Sequence, residues 1–87
     1  MEITAPDIGH VFDQLLAGTL SREAAEAWAG ERMRLDDAEQ LTFAPPSAER
    51  QLRDAIHYLS GVALRVSQSE YLHGEADFHE YRRRRGL

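Results

Sequence analysis

Four histidines, fifteen acids and ten arginines are the side chains of this 87-residue chain with most chemistry to offer. The histidines are His10, His57, His73 and His79, and only the last two lie close together in sequence. With Glu75 and Asp77 between them they hold enough ligand types for a divalent metal. Positions six apart nevertheless lie about 240° apart around a helix, so His73 and His79 do not share a face. No metal site is expected there. Ser21, Ser47 and Ser60 stand where helices begin or end and read as caps, not nucleophiles. The absence of cysteine removes a disulfide scaffold, a thiol nucleophile and a thiolate zinc site. No glycine-rich phosphate loop follows a strand, and no paired carboxylates mark a pocket. The residues therefore predict no catalysis, no cofactor and no metal.

Charge is distributed unevenly. The formal net charge is -5, and every base is arginine, with no lysine. That choice reflects GC-rich codons more than mechanism. Arg82, Arg83, Arg84 and Arg85 form one block, and residues 1–81 without it carry a charge of -9. One acidic cluster is Asp36, Asp37 and Glu39. A second runs from Val66 to Glu80 with Glu70, Glu75, Asp77 and Glu80 and no arginine. Such a body repels phosphate backbones and attracts basic surfaces.

The elements that must position these residues are helical. Ile8, Val11, Phe12, Leu15 and Leu16 follow the spacing of one buried helical stripe, which predicts a helix from about Pro6 to Ala17. Pro6 suits its first turn, Asp7 its positive end, and Gly18 a left-handed stop. Ser21 caps a second helix over Arg22–Arg34, with Leu20 stapled onto Ala25 and Trp28 and Ala29 facing inward. Gly30 weakens that helix by about 1 kcal/mol relative to alanine, and a close helix crossing would explain it.

Leu35–Pro46 is expected to be irregular, since Pro45-Pro46 interrupts any helix and drives Ala44 extended. Leu41 and Phe43 anchor this stretch to the core. Ser47 caps a third helix to about Ser60, with Leu52, Ala55, Ile56 and Leu59 buried and Gly61 ending it. Val62, Leu64 and Val66 alternate as a strand would, but a single strand has no partner here, so an irregular connection is expected. The last helix starts near Gly74, with Glu75 and Asp77 in its first turn and four arginines in its last, both favourable to the helix dipole. Phe78 and Tyr81 face the core. The fold class expected is all-α: one compact four-helix domain over residues 1–87, with a basic tail at 82–87. An irregular, proline-containing connection joins helices 2 and 3, and the radius of gyration is about 12 Å. No segment approaches the roughly 18 apolar residues of a membrane span, and no signal-peptide pattern opens the chain, so a cytoplasmic location is expected.

Two kinds of partner compete on these residues. Arg82–Arg85 could contact phosphates, but Glu23, Glu26 and Glu31 give the second helix the wrong sign for a recognition helix. Nucleic acid therefore ranks below a protein partner. An acidic surface with Tyr58, Tyr71, Tyr81 and Trp28 suits an interface with a basic protein, where aromatic anchors sit among acids.

Leu15-Leu16-Ala17-Gly18-Thr19-Leu20-Ser21-Arg22-Glu23 followed by Trp28-Ala29, together with Tyr71-Leu72-His73 and Asp77-Phe78, resembles segments of colicin-immunity-like proteins of polymorphic toxin and contact-inhibition systems. The two segments cover under half the chain. The resemblance implies a non-catalytic inhibitor that binds a cognate toxin domain, commonly a nuclease. On that reading Asp36, Asp37, Glu39, Glu70, Glu75 and Asp77 steer a basic toxin domain onto Tyr71. A regulatory or adaptor subunit of a cytosolic complex comes second, and an arginine-tailed nucleic-acid binder third.

Overall fold

The computed structural model describes residues 1–64, 71 and 74–87. Among them the chain runs through strand β1 (Glu2–Thr4), helices α1 (Ala5–Ala17) and α2 (Arg22–Asp37), and strand β2 (Thr42–Ala44). A 3-10 turn (Pro46–Ala48) then leads into helices α3 (Glu49–Leu59) and α4 (Glu75–Arg85).

Helix ends form where the sequence supplies caps. The Thr4 hydroxyl accepts from the Asp7 N–H, and the Asp7 carboxylate accepts in return from the Thr4 N–H at 2.9 Å. This reciprocal pair satisfies two of the donors that a helix start leaves open. At the other end Gly18 turns left-handed with φ 76°, and the Thr19 N–H closes onto the Gln14 carbonyl. Ser21 caps α2 through the Ala24 N–H at 3.0 Å.

The buried stripe of α1 (Ile8, Val11, Phe12, Leu15) meets Leu52, Ala55, Ile56 and Leu59 of α3 in one core. Phe12 lies at its centre, completely buried, with ring centroids of Tyr58, Phe78 and Tyr81 at 6.1, 6.3 and 5.9 Å. Burying one such ring stabilises the fold by about 2–3 kcal/mol. The Cα radius of gyration is 12.7 Å.

The expectation of a purely α-helical fold needs correcting. The molecule is mostly helical, but β1 and β2 pair in parallel with Glu2 opposite Thr42, Ile3 opposite Phe43 and Thr4 opposite Ala44. A parallel pair requires a long crossover, which α1 and α2 provide. Ile3 and Phe43 point from this pair into the core. The stretch Leu35–Pro46 is therefore more ordered than expected: α2 continues to Asp37, β2 occupies Thr42–Ala44, and Pro46 opens the 3-10 turn.

Three local expectations also change. Ser47 does not cap α3, because it lies inside the 3-10 turn, and no side chain caps that helix. Gly30 has no close crossing among the described residues, since a Cβ built there meets none of their atoms within 4 Å. Trp28 is only partly buried, covering the core edge beneath the Arg32 guanidinium at 4.4 Å from the indole. Part of the stretch Val62–Tyr71, with Val66, Glu70 and His73, lies outside the described residues.

Candidate functional site

Helix α3 buries one stripe and turns another outward. Arg50, Arg53, Asp54 and His57 recur at i, i+3, i+4 and i+7, opposite the stripe from Leu52 to Leu59. Helix α4 runs antiparallel to α3. Tyr81 stacks on Tyr58 with centroids 3.9 Å apart, and its hydroxyl donates to the Asp54 carboxylate at 2.6 Å. That packing carries the last turn of α4 to the first turns of α3. The result is an open cleft of about 620 Å³ lined by Ser47, Arg50, Gln51, Arg53, Asp54, His57, Arg84 and Arg85. Four guanidinium groups and one imidazole thus surround a single lining carboxylate.

The arginines differ in how firmly they are already engaged. Arg50 is exposed and makes no ion pair among the described residues. Arg53 is held by Asp36 through two bonds and by Glu49 at 3.3 Å. The Arg53 hydrogen bonds hold the Asp36 carboxyl below its usual range, and Asp36 pushes the guanidinium pKa up in return. Arg85 reaches Asp54 at 3.0 Å, beside the Tyr81 hydroxyl. Burial and Asp54 together push the Tyr81 phenol up.

The block Arg82–Arg85 is not uniform. Arg82 is a structural pin: it bonds the Asp13 carboxylate, donates to the Leu87 carbonyl at 3.0 Å and lies over the Phe12 ring. Arg83 and Arg84 both bind Glu80, at 2.8 and 2.9 Å, and hold its carboxyl below the usual range. Only Arg84 and Arg85 turn into the cleft.

The residues expected to face a protein partner do not gather into one surface. Asp36, Asp37 and Glu39 lie at the C-terminal end of α2. Asp36 is spent on Arg53, and Glu39 takes a left-handed backbone with φ 58°. Tyr71, Glu75 and Asp77 belong to the opposite end. The Tyr71 hydroxyl donates to Glu23 in the first turn of α2, and Arg22 stacks on the Tyr71 ring at 4.1 Å. Asp77 caps α4 by accepting from the Gly74 N–H at 2.8 Å. About 20 Å of helix separates the two groups. Glu70 lies outside the described residues. Tyr58 and Tyr81, expected at an interface, spend their rings on the internal aromatic stack.

Among the described residues no cluster of three or more His, Asp or Glu side chains could hold a metal ion. No helix among them is long and apolar enough to cross a membrane. The cleft escaped the sequence reading, although the polar spacing of Arg50, Arg53, Asp54 and His57 was there to find.

No curated protein and no solved structure matches the chain. One family model does, over residues 6–84, and its description is YxzC DNA-binding protein. This finding overturns the immunity-type resemblance, and with it the toxin-inhibitor reading and the basic toxin partner. It also reverses the ranking of nucleic acid below protein. The physical reason is visible in the segments that carried the resemblance. Gly18 is a left-handed stop, Ser21 a cap and Ala29 a core contact, so those residues describe how helices end and pack. The match takes in all four described helices except the first residue of α1 and the last of α4. The chain belongs to the YxzC DNA-binding protein family.

Proposed function

We propose that this protein binds double-stranded DNA without catalysing any reaction, through phosphate contacts made by the cleft between α3 and α4. The observation that carries this reading is the convergence of Arg50, Arg53, Arg84 and Arg85 with His57 on one cleft of an otherwise acidic chain. Net charge is a sum, whereas a phosphate backbone responds to the local field. Acids elsewhere turn the other faces away from DNA and leave the cleft as the face that approaches.

The exposed face of α3 has the dimensions for a duplex. Its 11 residues span about 16 Å, and Arg50, Gln51, Arg53 and His57 offer donors along it. Duplex is favoured over single strand by the aromatic residues. Single-strand binders stack bases on open rings, but Phe12 and Phe78 are buried, Tyr58 and Tyr81 stack on each other, and Trp28 lies under Arg32. An intracellular location follows from this reading.

Fluorescence anisotropy with a labelled duplex of about 20 base pairs tests it. With Arg53 held by Asp36, the three contacts of Arg50, Arg84 and Arg85 predict that affinity falls about 40-fold between about 50 and 200 mM salt. The triple variant R50A/R84A/R85A should lose most binding and most of that salt dependence. Binding that ignores salt, or that survives the triple variant, would count against the cleft.

A further inference from the structure

We infer that Asp54 and Glu80 act as built-in competitors for the DNA phosphates, setting how tightly the cleft can bind. The inference rests on the DNA-binding reading and adds to it the residues that limit affinity.

The observation is that two carboxylates occupy three of the four arginines in the C-terminal block. Asp54 Oδ2 accepts from the Tyr81 hydroxyl at 2.6 Å and forms an ion pair with Arg85 Nη2 at 3.0 Å. Glu80 Oε1 accepts from Arg84 Nε at 2.9 Å, and both its oxygens accept from Arg83 Nη2 at 2.8 Å. A carboxylate offers guanidinium the same paired oxygens that a phosphate does, so the two compete for one set of donors.

The two competitors differ in firmness. Asp54 is positioned, because Tyr81 is itself fixed by its stack on Tyr58 and its burial against the core. Glu80 lies on the same helix as its partners, three and four residues away, and the Arg83 and Arg84 side chains are 74% and 73% exposed. Exposed pairs of this kind open at little cost. To engage DNA, Arg84 must give up Glu80 and Arg85 must give up Asp54, and their binding reflects only the difference. Arg50, with no ion pair among the described residues, makes first contact without that exchange.

The test compares D54N and E80Q with wild type in duplex anisotropy at about 150 mM salt, with E26Q as a control of equal charge change. Glu26 lies near the start of α2, the end marked by the Arg22 bond to the Val62 carbonyl beyond α3. The amide that D54N introduces keeps an acceptor for the Tyr81 hydroxyl, and Glu80 makes only exposed contacts, so both variants should fold. D54N should bind about 5-fold tighter than wild type and E80Q about 2-fold tighter, and E26Q should match wild type. If D54N and E80Q bind as wild type does while R50A/R84A/R85A loses binding, the competition is wrong and the DNA reading stands. If E26Q tightens as much as they do, net charge explains the gain and the inference fails. If no protein binds the duplex at low salt, the inference and the reading fall together.

Discussion

Arg53 grips both oxygens of Asp36, with Nε on one at 2.7 Å and Nη2 on the other at 3.0 Å. The pair joins the last turn of α2 to the first turns of α3, across the chain that forms β2. It also lays the guanidinium over Phe43, 5.1 Å from the ring centre, where β2 enters the core. One side chain thus fixes the strand, the end of α2 and one wall of the cleft.

Replacing Asp36 by Asn should therefore cost about 1 kcal/mol near pH 7, the range for a paired but partly solvated carboxylate. Asp36 is more acidic in the folded chain than its ordinary value of 3.8. Its contribution is thus complete above that value and disappears as pH falls through the lowered folded pKa. Urea melts should separate wild type from D36N at pH 7, and the gap should shrink as pH falls below 3.8. Equal midpoints at pH 7 would show that the clasp contributes nothing to stability.

Arg82 and Arg83 are neighbours in one block, yet their truncation should differ. Arg82→Ala removes bonds to Asp13 and to the Leu87 carbonyl, together with cover over Phe12, and should cost about 2 kcal/mol. Among the described residues Arg83 bonds Glu80 alone, at the surface, so Arg83→Ala should leave the thermal midpoint where it was. Thermal melts of the two variants side by side decide the matter, and equal losses would reject the pin.

The legible and illegible parts of this protein separate by the range of the interactions involved. Asp7 at the start of α1, Gly18 and Ser21 act within a few residues, and so do the acids and arginines at the two ends of α4. Periodicity and caps therefore located the helices. The parallel pairing of Ile3 with Phe43 joins segments 40 residues apart through strands of three residues, too short to show an alternating pattern. The cleft was hidden for a related reason. Its arginines belong to α3 and α4, and the stacking of Tyr81 on Tyr58, with the contacts of Tyr81 and Arg85 to Asp54, brings them together. The -5 total charge then misled, because it averages an acidic α2 with a basic cleft that DNA would meet separately.

Tyr81 should ionise late and resist alkali. Burial and the neighbouring Asp54 carboxylate both disfavour its phenolate, so its pKa is raised above the ordinary 10.0. An acid whose folded pKa is raised stabilises the fold below its unfolded value and loses that contribution as pH climbs above it. In a spectrophotometric titration two phenols, Tyr81 and the half-buried Tyr58, should remain protonated beyond pH 10 until the protein unfolds, and Tyr81→Phe should remove one of them. A Y81F protein with both late phenols still present would assign them to other tyrosines.

Gly30 lies inside α2, where glycine is about 0.5–1 kcal/mol less favourable than alanine because of the backbone freedom it loses on folding. A Cβ at this position meets no atom of the described residues within 4 Å, so no packing penalty among them offsets the gain. Gly30→Ala should therefore raise stability by about that amount in urea melts, with an unchanged slope. Duplex affinity should not move, because Gly30 does not line the cleft. A stabilised variant that lost DNA affinity would place a DNA contact on α2 and redraw the interface. A destabilised one would mean that the open space beside Gly30 is filled in solution.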